Sequence, residues 1–306
     1  MTQLRGGISQ QANESNRAAG LLMRKWLEVV YIVTGMCVLL SSFAHAGGIS
    51  FDAGLTPAQD RWILRTQVRY MPRGNDPSPM NREMNMYMFP VVLAYGFRPD
   101  LTFMVRQAGL SQEMIMGGNT DKSSGAGDLF VLAKYRAYRI NTPGYTLGIA
   151  PTLGIELPTG KNSLSSETFD VNTGMFVSLR SGLLAVDSNI TYMLNGLAGD
   201  GKNSVEPGNE LSLNAACAYQ FVIGEKARSS VAPVLEINYK HIMADHLDGQ
   251  NLLNTGESVI YISPGIKYTM STLILEALVQ VPAWQDQKGS QTERDIGIIS
   301  GIRYLF

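Results

Sequence analysis

From position 61 onward the chain alternates apolar and polar residues with a period of two, and helical periodicity is almost absent. In residues 61–70, Trp62, Leu64, Thr66, Val68 and Tyr70 share one face, while Arg61, Arg65, Gln67 and Arg69 share the other. Tyr87, Phe89, Val91, Leu93, Tyr95 and Phe97 align in the next run. A turn at Arg98, Pro99 and Asp100 leads into Leu101, Phe103 and Val105, opposite Thr102, Met104 and Arg106. Nine further runs follow, around Val131, Ile149, Val177, Ile190, Ala215, Ile237, Ile262, Ala277 and Ile302, which makes twelve candidate strands. Their apolar faces hold no Asp, Glu, Lys or Arg, and the one histidine on them is His241.

Two environments exclude charge from one face of every strand: the core of a soluble sandwich and the lipid around a barrel. Three features point to lipid. The runs reach 10–13 residues in several cases, against roughly 9–11 for a tilted membrane crossing and about 5–6 for a soluble strand. Connections alternate between short (98–100, 139–144, 180–183, 224–229, 270–272) and long (71–84, 111–126, 157–168, 196–208, 244–257, 284–293). Aromatic residues gather near strand ends, as interfacial girdles require. The pattern predicts an all-β fold, a transmembrane antiparallel up-and-down β-barrel of about twelve strands. Closure follows because a sheet edge in hydrocarbon leaves backbone groups unpaired, at several kcal/mol each. This assignment of faces predicts that Val131→Asp impairs assembly far more than Leu132→Asp.

The first 46 residues read differently. Arg24 and Lys25 precede a mostly apolar stretch from 27 to 43, and Ala44-His45-Ala46 has the small-x-small form of a cleavage site before Gly47. Residues 1–46 are therefore expected to be a signal peptide with an N-terminal extension, cleaved between Ala46 and Gly47. Residues 47–60 form a periplasmic or lumenal segment, with entry into the lumen as a short plug left open, and 61–306 form the barrel. Removing four basic residues (Arg5, Arg17, Arg24, Lys25) and two acidic ones (Glu14, Glu28) from totals of 25 and 26 leaves 21 and 24, a net of −3. That balance excludes a nucleic-acid partner. Charged residues make up only 17% of the chain, below the roughly 25% of soluble domains, as suits a surface facing lipid.

Candidate chemistry is sparse. GIELPTGK at 154–161 imitates a phosphate loop, but the spacing is one residue too long and Asn162 stands where Ser or Thr would hold magnesium. His241 and His246 lie near Asp245 and Asp248 without a third histidine or a cysteine, so no metal and no cofactor is expected. His241, on the membrane face, could serve a lipid-modifying enzyme only with a serine from another strand, Ser188 being the candidate. No enzymatic activity is expected. What remains is the inward charge: Arg65, Arg69, Arg106, Asp128, Lys134, Arg136, Glu156, Asp170, Arg180, Glu236, Lys240, Lys267, Glu276 and Arg303. These either line a pore of mixed sign or pair with one another and fill the lumen.

Two resemblances add to this reading. Gly301, Tyr304 and Phe306 resemble the C-terminal signal by which the barrel assembly machinery recognises its clients, although Ile299 stands where that signal has a polar residue. The stretches RTQVRYM (65–71), LAYGFRPDLT (93–102), GAGDLFVLAKYR (125–136), GIELPTG (154–160) and SPGIKY (263–268) together resemble the outer-membrane, transporter-like family labelled "putative MetA-pathway of phenol degradation". The resemblance implies an outer-membrane, porin-like channel or transporter in a Gram-negative-type bacterium, for passive uptake of small, hydrophobic or aromatic molecules. Its partners would be outer-membrane lipid, the assembly machinery and a small-molecule solute. It brings no catalytic residues. A membrane-embedded lipid-modifying enzyme of phospholipase type and a closed structural or adhesive barrel stay open as alternatives.

Overall fold

A computed structural model describes residues 47–161, 164–198, 205–223 and 229–306. The expected signal peptide and Ala46 lie outside the described residues. The described chain is all β. Its twelve long strands are β1 (Trp62–Gly74), β2 (Glu83–Arg98), β3 (Leu101–Met116), β4, β5 (Tyr145–Leu157), β6 (Phe169–Ser181), β7 (Leu184–Ala198), β8 (Glu210–Tyr219, extended by Phe221–Ile223), β9 (Ser229–Ile242), β10 (Glu257–Met270), β11 (Leu273–Gln287) and β12 (Glu293–Arg294 and Gly297–Leu305). β4 runs in three segments, Asn119–Ala126, Leu129–Tyr135 and Tyr138–Thr142, separated by two irregularities. Gly127 N–H, at the first, donates to Ala108 O at 2.8 Å, and Arg136 N–H, at the second, donates to Asp100 O at 2.7 Å, so the ladder to β3 is kept.

Each strand pairs antiparallel with its neighbours in sequence, and β1 closes the barrel against β12 with Arg65 opposite Arg303 and Thr66 opposite Ile302. Trp62 and Phe306 exchange backbone hydrogen bonds at 2.7 and 3.0 Å, which secures the seam at the short-turn end. Closure leaves no open edge, as lipid demands. Register is strongly specified, because a slip of one residue would turn every inward charge toward lipid. Aromatic pairs mark the short-turn rim: Trp62 with Tyr95 (4.4 Å), Phe97 with Phe103 (5.7 Å) and Tyr304 with Phe306 (5.5 Å between centroids). Tyr70 and Tyr87, 5.0 Å apart, lie toward the other end.

The long connections need correction. The stretch expected as a loop at 111–126 is mostly a β-hairpin: β3 continues to Met116, turns at Gly117 and Gly118 (φ 55° and 81°), and returns as the first segment of β4. Only glycine adopts two such consecutive angles without steric cost. β1, β2 and β11 likewise run into the stretches expected as loops at 71–84 and 284–293. Beyond the lipid a ladder needs only backbone pairing. Ser111, Glu113, Lys122 and Ser124 therefore extend the sheet without an apolar face to announce it. Residues expected in loops around 196–208 and 244–257 contribute a small sheet of Val205–Glu206, His246–Leu247 and Gln250–Asn251.

The outward row is apolar on every strand. Leu235, mid-strand on β9, is 50% exposed to the surroundings. Leu235→Arg is expected to destabilise the folded barrel by about 2–4 kcal/mol, read as a lower urea midpoint of refolding in vesicles, while Ala218→Ser on the inner face of the neighbouring strand costs far less. The contrast drawn above between Val131 and Leu132 is weaker than the alternation implies. Leu132 faces inward but is 3% exposed and packs with Met104 and Phe130, so aspartate is costly at both positions.

Candidate functional site

Twelve strands fall between the eight whose lumen side chains fill and the sixteen or more that leave an aqueous channel. Here residues 47–56 occupy the lumen. The inner faces of β7, β8 and β9 carry Ala185, Ala216, Ala218, Ala232 and Val234, and these small side chains leave space beside Leu278 and Ile299. Ile49 fills that space and is fully buried. Gly265 contributes to the fit, since a Cβ there would lie 2.6 Å from Leu278 Cδ1 and 3.0 Å from Ile49 Cδ1.

The segment is held mainly through its backbone. Lys267, 1% exposed, donates from Nζ to Gly47 O and, at 3.0 Å, to Gly48 O. Arg65 Nη2 and Gln67 Nε2, the latter at 2.9 Å, both donate to Ile49 O. Arg69 Nη2 reaches Ser50 O at 3.0 Å, and Lys134 Nζ reaches Ala53 O at 2.6 Å. Glu236 accepts from the backbone N–H of Ile49 and Ser50 and from Ser50 Oγ, while Asn238 Nδ2 donates to the same hydroxyl at 3.1 Å. Gly54 N–H donates to Ser178 Oγ at 2.7 Å. Toward the short-turn rim, Arg136 Nη1 donates to Thr56 Oγ1 at 2.8 Å and Asp60 N–H to Gly96 O at 2.8 Å. Asp52 lies 3.5 Å from Arg65. Burial alone would raise its carboxyl, but the positive field of Lys134, Arg65, Arg303 and Arg106 outweighs burial and holds it below its ordinary value.

Carboxylates on the wall tie the cations together. Glu276 accepts from Arg65 Nε at 2.7 Å, Gln67 Nε2 at 2.7 Å and Arg303 Nη2 at 3.3 Å. Asp187 accepts from Arg180 Nη2 at 2.9 Å and from Ser178 Oγ. Nearer the long loops, Arg106 pairs with Glu156 at 3.2 Å, Lys240 with Glu210 at 2.6 Å, and Glu257 takes both Arg73 (3.0 Å) and Arg294. Asp128 and Asp170 hold the 158–168 connection. Asp128 accepts from Gly160 N–H, Ser165 Oγ and Ser166 N–H at 2.7–2.8 Å. Asp170 accepts from Thr168 Oγ1 at 2.8 Å and Gly196 N–H at 2.9 Å. Each sequence-derived inward charge thus has a place. Arg65, Arg69, Lys134, Arg136, Glu236, Lys267, Glu276 and Arg303 gather around the inserted segment, Arg180 sits beside its first residue through Asp187, and Arg106, Glu156 and Lys240 pair farther out.

Three groups are added to those fourteen charges. Gln67 and Asp187 join the network above. Asn189, Asn214 and Asn238 lie in register on β7, β8 and β9 and are linked by amide hydrogen bonds at 2.8 and 2.9 Å. A methionine row lines the long-loop half: Met71 is paired with Met86, Met88 with Arg69, and Met84 with both Arg73 and Met114. Because Arg69 faces inward, so does the whole set. The M-x-M-x-M spacing at 84–88 is the signal that would have found them.

On the lipid side, His241 Nδ1 is 2.8 Å from Ser258 Oγ. Ser188, the serine considered for this histidine, donates to Asn214 O at 2.9 Å instead. His241 lies between Leu211 and Ser258 across the sheet, whereas Asp286 neighbours Ser258 and binds Lys288 at 2.6 Å. The acid therefore flanks the hydroxyl and not the imidazole it would have to orient. Among the described residues no group of three or more His, Cys, Asp or Glu is arranged to hold a metal ion.

A family model described as "Putative MetA-pathway of phenol degradation" matches residues 85–282. Among solved structures, an outer-membrane channel from Pseudomonas putida F1 has a TM-score of 0.64 at 14% identity, covering 85% of this chain and 100% of that one. The β-domain of the Bordetella autotransporter BrkA has a TM-score of 0.48 at 11% identity, covering 82% and 100%. The CymD monoaromatic hydrocarbon channel has 0.42 at 9%, covering 87% and 94%. No curated protein matches the sequence. At 14% identity the likeness to the Pseudomonas channel is one of fold, and the fold is that of an outer-membrane barrel.

Proposed function

The chain belongs to the family described as "Putative MetA-pathway of phenol degradation", and we propose that it is an outer-membrane channel for passive uptake of small molecules, aromatic compounds foremost. One observation carries this reading: the lumen is obstructed by a separate chain segment on reversible hydrogen bonds, while the wall behind it is polar. A purely structural barrel closes with wall side chains alone, as eight-stranded barrels do. Residues 47–56 are joined covalently to the wall only through residues 57–61 leading into β1, and the contacts described above are non-covalent, so their withdrawal opens a path. The family description supports an aromatic solute. The methionine row suits one too, because thioethers adapt their shape and make favourable contacts with ring edges. Among the described residues, Asp286 flanks Ser258 and not His241, so this pair does not support the enzymatic alternative.

Planar bilayers test the proposal. The purified full chain is expected to show brief unitary current steps, reduced in a concentration-dependent way by benzoate or phenol and not by equal glucose. Folded protein that gives no steps, with or without residues 48–56, would remove the channel reading.

A further inference from the structure

Taking the channel reading as its basis, we propose that the wall behind the inserted segment is a binding site for the anionic head of an organic solute, a carboxylate or a phenolate. In the closed barrel the segment's own carbonyl oxygens hold the place of that head. The donors are the reason. Lys267, Arg65, Gln67 and Lys134 converge on the carbonyls of Gly47, Gly48, Ile49 and Ala53. Arg303 adds a weaker contact to Gly48 O at 3.4 Å, and its buried Nε has no acceptor among the described residues. A carbonyl is the poorer partner for such donors, since it brings no net charge to set against theirs, whereas an anionic oxygen adds a direct Coulomb attraction.

The charge balance points the same way. Around residues 47–53 of the segment, Arg65, Arg69, Lys134, Arg180, Lys267 and Arg303 are six cations, with Arg136 set apart at Thr56 toward the rim. The wall opposes them with three carboxylates, Glu236, Glu276 and Asp187. Asp52 supplies a fourth negative charge, and it leaves when the segment leaves. An open lumen would therefore carry three uncompensated positive charges inside a barrel wrapped in hydrocarbon, where Coulomb interactions are weakly screened. Entry of an anion relieves that field and entry of a cation adds to it. Glu236 fixes where the head can sit: it occupies the N–H side of Ile49 and Ser50, so an anion belongs on the side of Lys267, Arg65 and Arg303. The methionine row beyond Arg69 then receives the apolar body.

The test uses the full chain and a chain lacking residues 48–56, both checked for folding by heat-modifiable gel mobility. Reversal potentials in a KCl gradient should show the shortened form to be anion-selective. Lys267→Gln, or Lys134→Gln as an independent variant, should lower that preference severalfold. Benzoate should block current at about one tenth of the concentration needed for benzyl alcohol, which has the same ring without the charge. An open pore that prefers cations, or one blocked alike by both compounds, overturns this inference and leaves the channel standing. No current from either form removes both.

Discussion

Deleting residues 48–56 is expected to raise single-channel conductance on the order of tenfold and to replace brief openings with a steady open state. The segment lies in the lumen and holds its place through contacts to β1, β4, β6, β9, β10 and β12. An ion passing the closed barrel would have to displace those bonds one by one. The deletion spares Gly47 at the expected processing site and keeps residues 57–60, so the contact of Asp60 with Gly96 at the rim is retained. The barrel should survive, because its seam between β1 and β12 is made by the strands themselves. Burial of Ile49 is lost, a cost of about 2–3 kcal/mol, which lowers the unfolding midpoint without preventing assembly. Unchanged conductance from the folded, shortened protein would mean that residues 47–56 do not obstruct the path.

The second large effect concerns Glu276. Arg65 and Arg303 are direct cross-strand neighbours at the seam that closes the barrel. Like charges in that position repel, and both are taken up by the one carboxylate of Glu276, which also accepts from Gln67. Glu276→Ala leaves two guanidinium groups facing each other in a low-dielectric interior. Breaking a buried pair from one side typically costs about 3–5 kcal/mol. The expected result is a marked drop in the urea midpoint of the vesicle-embedded barrel and loss of its heat-modifiable mobility at a lower temperature. Glu276→Gln keeps one acceptor and should lose less. Removal of Glu113, which pairs with Lys122 on the exposed hairpin at 2.8 Å, should cost about 1 kcal/mol or less. Equal effects at the two sites would show that the seam does not depend on the buried network.

The twelve strands were legible because lipid imposes the same rule on each of them, and period two records that rule residue by residue. The inward positions of Arg65, Lys134, Glu236, Lys267 and Glu276 followed from the same alternation. The hairpin at 111–126 was not legible, since above the membrane neither face is required to be apolar. The methionine row was hidden for a related reason: Met84, Met86 and Met88 alternate with Tyr87 and Phe89, so both faces of β2 read as hydrophobic.

The obstruction of the lumen belonged to the tertiary structure alone. Residues 47–56 have no periodicity, and what Lys267, Arg65 and Lys134 bind is backbone carbonyl, a group that every residue carries and no sequence pattern marks. From the sequence those charges could fill the lumen or line a path. In the folded chain the wall supplies the cations, and the inserted segment supplies their partners. The sequence by itself determined the barrel, because solvent quality acts on each side chain locally. Only three-dimensional placement decided what closes it, because the closing contacts join positions such as Gly47 and Lys267, 220 residues apart in the chain, through atoms without sequence identity.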